Sequence, residues 1–251
     1  MDLEGLYEGI CDWWGTLDEE SKAKELAAFA PEFAYNSASI EDSAVTREDT
    51  EQVFSTGRVS SYSGELSTLN LIQDQRDTFA RVLADVDHGR PFDEGLVLEA
   101  HAALTWGTYS PTQLADGERP GTYKLGDYLV PGVAEVGAPA ADAPRLVREL
   151  ADEISGVLPS LTRKKALTVA SYFHCSFETI HPFSDGSGLT GRTLMNYILL
   201  SGFHPPVIIF ETDKQPYFEA LESFNAEGDL TPFKKLLMAE TIKSWRERAR
   251  S

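Results

Sequence analysis

The sequence predicts an all-α fold interrupted by one short β-hairpin, and three observations carry that prediction. Apolar residues recur at helical spacing in segment after segment, and Gly or Pro closes several of those segments. A single stretch, 109–144, is rich in Gly and Pro and places β-prone residues on both sides of a Gly-Asp turn.

Taken in order, TLDEESKAKELAAFA (16–30) carries Leu26, Phe29 and Ala30 at i, i+3 and i+4 with acids near its start, and Pro31 is expected to end it. TREDTEQVF (46–54) reads as a second helix. LSTLNLIQDQRDTFARVLADV (66–86) is the clearest, with Leu69, Ile72, Phe79 and Leu83 forming an apolar stripe that Arg76 interrupts. LVLEAHAALTWG (96–107) reads as a buried helix closed by Gly107. Within 109–144, TYK and YLV flank Leu125-Gly126-Asp127, which suits a hairpin, with an irregular surface loop as the alternative. Helices then resume over 144–158, 164–180, 188–202 (closed by Gly202 before Pro205-Pro206) and 215–227. Thr231 and Pro232 stand as N-cap and first-turn proline of the last one. The expected organisation is an N-terminal helical region over 1–95 and a core domain over 96–251.

With 251 residues, 42% of them apolar, the chain can bury a sizeable core. Its net charge of −18 repels a phosphate backbone and anionic lipid, so neither nucleic acid nor a membrane is an expected partner. The opening MDLEGLYEGI lacks the basic start of a secretory signal, and no apolar run approaches the roughly 18 to 20 residues that cross a bilayer. Cys11 and Cys175 are too few for a disulfide framework, although a single bridge stays open. A cytoplasmic protein is the expectation, and assembly of identical chains stays open.

The segment IHPFSDGSGLTGR (180–192) concentrates the chemistry. Pro182 biases His181 away from the α region, so the turn begins there. Gly186 and Gly188 allow backbone N–H groups to crowd around an anion while the following helix points its positive end at the same spot. Arg192 near that helix start faces an unfavourable dipole, costing roughly 0.3 to 1 kcal/mol, unless an anion offsets it. Asp185 is the ligand type through which Mg²⁺ bridges protein and phosphate oxygens, and His181 is a base that titrates near neutral pH. Phe183 is assigned to the core and Ser184 to no role.

These residues resemble the signature of the Fic family, H-x-F-x-[D/E]-G-N-G-R-x-x-R, at His181, Phe183, Asp185, Gly186, Gly188 and Arg192. Ser187 stands where the family has Asn, and Leu189 where it has the first Arg. The resemblance extends over about 96–245 and implies transfer of AMP from ATP to a Ser, Thr or Tyr hydroxyl of a target protein. It implies that His181 takes the hydroxyl proton and that Asp185 holds Mg²⁺. Gly186, Ser187 and Gly188 are implied to cradle phosphate oxygens, and Arg192 to grip the γ-phosphate. The hairpin, formed by Tyr123, Lys124, Leu125, Gly126, Asp127 and Tyr128, is implied to be a flap over the active site that pairs with an extended target segment. Upstream, Asn36 to Asp42 is similar to the family's inhibitory motif [S/T]-x-x-x-E-[G/N], matching at Ser37 and Glu41, with Asp42 at the final position. The resemblance implies that Glu41 pairs with Arg192 in place of the γ-phosphate.

The two departures in the signature leave other readings open: slow activity, a donor of fewer charges that transfers UMP or phosphocholine, or a nucleotide-binding module without turnover. A different alternative is a metal site, because His174, Glu178 and His181 fall at i, i+4 and i+7. Pro182 weakens it. Cys175 beside His174 reads as packing, since adjacent helical residues diverge by roughly 100°. His88, His101 and His204 read as structural.

Overall fold

The computed structural model describes residues 2–60, 62–129 and 135–250. Their order is α1 (Leu3–Thr16), α2 (Glu19–Glu41), α3 (Arg47–Thr56), α4 (Leu66–Asp87), α5 (Glu94–Leu104), α6 (Pro111–Ala115), β1 (Tyr128–Leu129), β2 (Glu135–Val136), α7 (Ala143–Val157), α8 (Arg163–Ile180), α9 (Ser187–Ser201), α10 (Lys214–Glu227) and α11 (Thr231–Trp245). The fold is all-α, as the helical periodicity predicts.

The centre is α9, whose described side chains from Leu189 to Leu199 are all buried and which packs lengthwise on α8. A helix buried on every side must be surrounded, and α4, α5 and α2 supply the other walls. Asn196 fixes the chain that follows α9: its amide donates to the Val207 carbonyl at 3.0 Å and accepts from the Val207 N–H at 2.7 Å. The first helix is absent from the sequence reading. Tyr7, Ile10, Cys11 and Trp14 make its buried stripe at i, i+3, i+4 and i+7, and Trp14 meets Trp245 of α11 at 5.1 Å.

Pro31 does not end a helix, contrary to expectation. α2 runs through it for 23 residues, burying Phe29 before the proline and Phe33, Ala34 and Asn36 through Ile40 beyond it. Burial of that run outweighs the one donor lost at proline. Arg248 donates to the Glu25 and Ala28 carbonyls at 3.1 and 3.0 Å and so ties the stretch before the proline to the C-terminus. The extension places Ser37 and Glu41 in the final turns of a continuous helix.

The expected hairpin takes another register. Tyr123, Lys124 and the Leu125-Gly126-Asp127 turn join no strand. Instead, Tyr128 pairs with Val136 and Leu129 with Glu135, antiparallel and two residues long. The Lys124 N–H bonds the Pro182 carbonyl at 3.0 Å, which holds TYK against the signature segment rather than against YLV. Val130 of YLV lies outside the described residues. Two further boundaries also shift. α5 ends at Leu104, capped by Thr105 rather than closed by Gly107. Thr231 is the first residue of α11 rather than its cap, and its N–H is taken by Asp229 at 2.9 Å.

Glu240 on α11 is 2% exposed, and burial, followed by the neighbouring Asp213, pushes its carboxyl up to about 8. The folded state therefore keeps a proton that the unfolded chain gives up near the ordinary glutamate value. Stability from this group falls as pH rises through that window and levels off above about 8. Glu240→Gln should gain in melting temperature relative to wild type as pH goes from about 5 to 8. A difference that stays constant in thermal scans across that range would contradict this origin.

Candidate active site

α8 ends in His181, which caps the helix in the left-handed region (φ 44°, ψ 65°), its N–H returning to the Phe177 carbonyl. The Pro182 effect expected from sequence is thus realised as a sharp reversal. Two backbone bonds hold this reversal: Lys124 N–H to Pro182 O at 3.0 Å and Ala138 N–H to Ile180 O at 2.9 Å. Gly137 permits the approach, because a Cβ there would lie 2.5 Å from the His181 Cβ and 2.6 Å from the Ile180 carbonyl. Burial, then the Lys124 charge, moves the His181 imidazole below its ordinary value, against an opposing pull from Glu41. His181 is accordingly neutral at pH 7, the form that accepts a proton.

Phe183 is fully buried, as assigned. Its ring stacks on His101 at 3.6 Å and on Tyr123 at 5.9 Å. Ser184, given no role from sequence, donates to the Tyr109 hydroxyl at 3.1 Å. Ser187 turns its hydroxyl back to Phe183, taking the N–H at 3.2 Å, so its side chain braces the turn from inside while its backbone begins α9. Gly186 is the left-handed N-cap (φ 74°), and a Cβ on it would collide with Thr105.

His101 is structural, as read from the sequence, and the element it braces is the signature turn, which sequence reasoning did not reveal. Its Nδ1 accepts from Gly121 N–H at 2.9 Å, so its Nε2 donates to the Asp185 carbonyl, also at 2.9 Å. Burial holds this imidazole down to about 4, neutral as the two bonds require. No local signal reveals such a tie across 84 residues. The Asp185 carboxylate accepts from the Gly186 N–H at 2.8 Å and is raised above the usual range by burial.

Arg192 is 1% exposed and fully engaged. It donates to Ser37 Oγ and to the Ser37 carbonyl, both at 3.0 Å, to Glu41 at 2.7 Å, and to the Tyr217 hydroxyl at 3.4 Å. Burial disfavours its charge, and Glu41 and Tyr217 overcome that and hold it charged. The Glu41 carboxylate lies against the first turn of α9. A Cβ on Gly188 would sit 2.5 Å from Glu41 Oε1 and 2.8 Å from an Arg192 nitrogen. The anion that the dipole argument demands near Arg192 is therefore the protein's own. Asp42, where the inhibitory pattern has Gly or Asn, caps α2 and accepts from Thr68 of α4 at 2.5 Å, tying down the end of the helix that presents Glu41.

Leu189 does not line this hollow. It is 3% exposed in a cluster with Ala38, Val45, Val53, Leu71, Ile72 and Leu104, so the position of the family's first Arg has become an apolar anchor joining α9 to α2 and α4. Leu189→Ala should cost about 2 to 5 kcal/mol of stability in chemical denaturation. A loss below about 1 kcal/mol would contradict the packing role. The alternative metal site does not form: His181 leaves the helix, His174 Nε2 faces the Tyr217 hydroxyl at 2.9 Å, and no group of three or more metal-ligating side chains assembles among the described residues. Cys11 and Cys175 are both buried free thiols. No described helix is long and apolar enough to cross a membrane.

The family model for the Fic/DOC family matches residues 91–199. The protein adenylyltransferase Fic of Drosophila persimilis is 32% identical over 148 residues, covering 59% of this chain and 27% of that protein. Its namesake in Aedes aegypti is 43% identical over 68 residues, 27% of this chain and 13% of that one. The chain thus spans about a quarter or less of the length of these curated relatives. Among solved structures, a Fic domain containing signaling protein from Bacteroides thetaiotaomicron superposes with a TM-score of 0.82 at 22% identity, over 99% of this chain and 96% of that one. Residues 134–508 of Fic-1 from C. elegans superpose with a TM-score of 0.73 at 19% identity, over 98% and 70%. The signature turn thus lies inside the segment, residues 91–199, that matches the Fic/DOC family, and the whole chain shares the fold of these solved Fic structures.

Proposed function

We propose that the protein is an adenylyltransferase that moves AMP from ATP to a Ser, Thr or Tyr hydroxyl of a target protein in the cytoplasm, restrained by Glu41. The observation that carries this reading is the Glu41–Arg192 pair at 2.7 Å beside Gly188, with His181 at the start of the same turn. A carboxylate resting where a helix N-terminus and a buried guanidinium converge is a stand-in for phosphate oxygens. On this reading residues 1–95 are regulatory and 96–251 catalytic.

Neutral His181 takes the proton of the target hydroxyl as that oxygen attacks the α-phosphorus, and pyrophosphate leaves. Backbone N–H groups of Gly186, Ser187 and Gly188 face the phosphate oxygens, and Arg192, once released by Glu41, takes the γ-phosphate. Asp185 fits Mg²⁺ as a nucleotide-borne ion, since that cation needs only one or two carboxylates beside phosphate and water. Mg²⁺ supplies charge neutralisation on the phosphates when bound. The backbone of Tyr123 to Tyr128, already bonded to the signature turn through Lys124, serves as the flap that aligns an extended target.

Leu189 supplies no positive charge to the phosphates, so donors of lower charge, leading to UMP or phosphocholine transfer, remain in competition with ATP. Wild-type, Glu41→Gly and Glu41→Gly/His181→Ala proteins, each incubated with Mg²⁺, lysate and a panel of nucleotide donors, separate these readings by intact-protein mass. AMP-sized additions in the single variant alone support the proposal. Additions from another donor replace ATP, and nucleotide binding without any addition replaces the enzyme by a binding module.

A further inference from the structure

His174, buried two turns before His181, and Glu178, half-buried one turn before it, remain unused by the mechanism. His174 Nδ1 and Glu178 Oε1 lack a hydrogen-bond partner of good geometry. Both lie 2.8 Å from the point a Cβ on Gly191 would occupy, so two unpartnered polar atoms, one helical turn apart on α8, flank the same bare backbone. On its other side His174 Nε2 is 2.9 Å from the Tyr217 hydroxyl, which is 3.4 Å from Arg192. A guanidinium only donates, so the Tyr217 oxygen accepts from Arg192 and is free to give its proton to Nε2. The imidazole proton then sits on Nδ1, beside the Gly191 backbone that Glu178 also approaches.

We infer that Glu178, His174 and Tyr217 form a directional hydrogen-bond relay that positions Arg192 for the γ-phosphate, and that protonation of Glu178 reverses the relay. With Glu178 anionic, the chain runs from Arg192 through Tyr217 and His174 to the carboxylate, each bond strengthening the next. With Glu178 protonated, its O–H donates to Nδ1, the ring carries its single proton on Nε2, and Tyr217 accepts from both neighbours. The net change is uptake of one proton from solvent, and the weaker state holds Arg192 less firmly. This inference rests on the γ-phosphate role proposed for Arg192.

Burial brings the Glu178 carboxyl up to about 7, against the pull of Arg192 and with a further push from Glu41, so both states are within reach near neutrality. The groups around it are Arg192 from α9, Glu41 from α2, Tyr217 from α10 and Cys175 on its own helix, while α11 brings the apolar Phe233 ring to 5.3 Å from His174. Burial also lowers the His174 imidazole to about 3, so the ring itself stays neutral and changes only its tautomer.

Two measurements test the relay. In full-length Glu41→Gly protein, calorimetry should show the preference for ATP over ADP rising about three- to tenfold from pH 6 to 8. Added Glu178→Gln, whose amide donates to Nδ1 permanently, should fix it at the low value. The rise that comes from the nucleotide's own ionisation is common to both proteins and cancels in the comparison. Tyr217→Phe should likewise lose ATP affinity by about tenfold while ADP affinity holds. Equal pH responses with and without Glu178, or unchanged ATP preference in Tyr217→Phe, would overturn the relay. The second measurement needs no nucleotide. ¹⁵N spectra of histidine-labelled protein at pH 8 should place the His174 proton on Nδ1, and on Nε2 in Glu178→Gln. The same tautomer in both overturns the relay even where nucleotide binding is intact. Failure of Glu41→Gly protein to bind any nucleotide with the tautomer switch present overturns only the reading on which the relay rests.

Discussion

Glu41→Gly protein is expected to label target hydroxyls on the order of a hundredfold faster than wild type, and to melt at a lower temperature until nucleotide is added. Both effects come from one broken ion pair. The Arg192 side chain is 2% exposed, whereas Glu41 is 40% exposed, so the acid can leave for solvent and the base cannot. Stranding a buried charge costs roughly 3 to 5 kcal/mol when no other acceptor remains. Arg192 keeps Ser37 and Tyr217, which brings the expected loss to about 1 to 3 kcal/mol, or about 2 to 10 °C for a chain of this size. A phosphate that replaces the carboxylate recovers that loss as binding energy. ATP should therefore raise the melting temperature of the variant more than that of wild type. The rate estimate follows from the same competition: an intramolecular carboxylate favoured by about 3 kcal/mol reduces the phosphate-ready population about a hundredfold. Glu41→Gln separates charge from helix propensity and should reproduce most of the gain. Labelling by wild type equal to that by both variants would remove Glu41 from regulation, whatever the melting data show.

Local order predicts well here, and long-range order poorly. The stripe of Leu69, Ile72, Phe79 and Leu83 in α4 and the reversal at His181-Pro182 both follow from residues within a few positions of each other. Pro31 misleads because its local cost is set against burial of Phe33 through Ile40, a tertiary gain that no window of sequence contains. The first helix was legible in the spacing of Tyr7, Ile10, Cys11 and Trp14, but the acidic residues between them obscure the stripe. TYK looks like a strand by composition, yet its backbone is committed to Pro182. The Glu41–Arg192 pair spans 151 residues and was visible only through two short patterns of a family, not through periodicity. His101 and Tyr217, which steady the turn and the arginine, carry no pattern at all. Their roles arise only because the fold brings α5 to the signature turn and α10 to Arg192.

His181→Ala in the Glu41→Gly background should reduce transfer by about 10²- to 10⁴-fold, the span over which a positioned base accelerates proton transfer, while ATP affinity stays within about twofold. The separation is expected because the phosphate grip is assigned to the α9 turn and Arg192, and not to the imidazole. The pH profile supplies an independent check. Neutral imidazole is the active form, and its midpoint lies below the ordinary value of 6.5 because burial and Lys124 both disfavour the cation. At saturating ATP, activity should therefore climb with pH through a midpoint below 6.5 and be level between about 7 and 8. Glu41 pulls that midpoint upward, so Glu41→Gly should move it lower still, whereas Lys124→Met, by removing a neighbouring positive charge, should move it up. Opposite displacements by the two substitutions would tie the acid limb to this ring. An acid limb that survives in His181→Ala protein at an unchanged midpoint would assign the proton transfer to another group, and with it the identity of the general base.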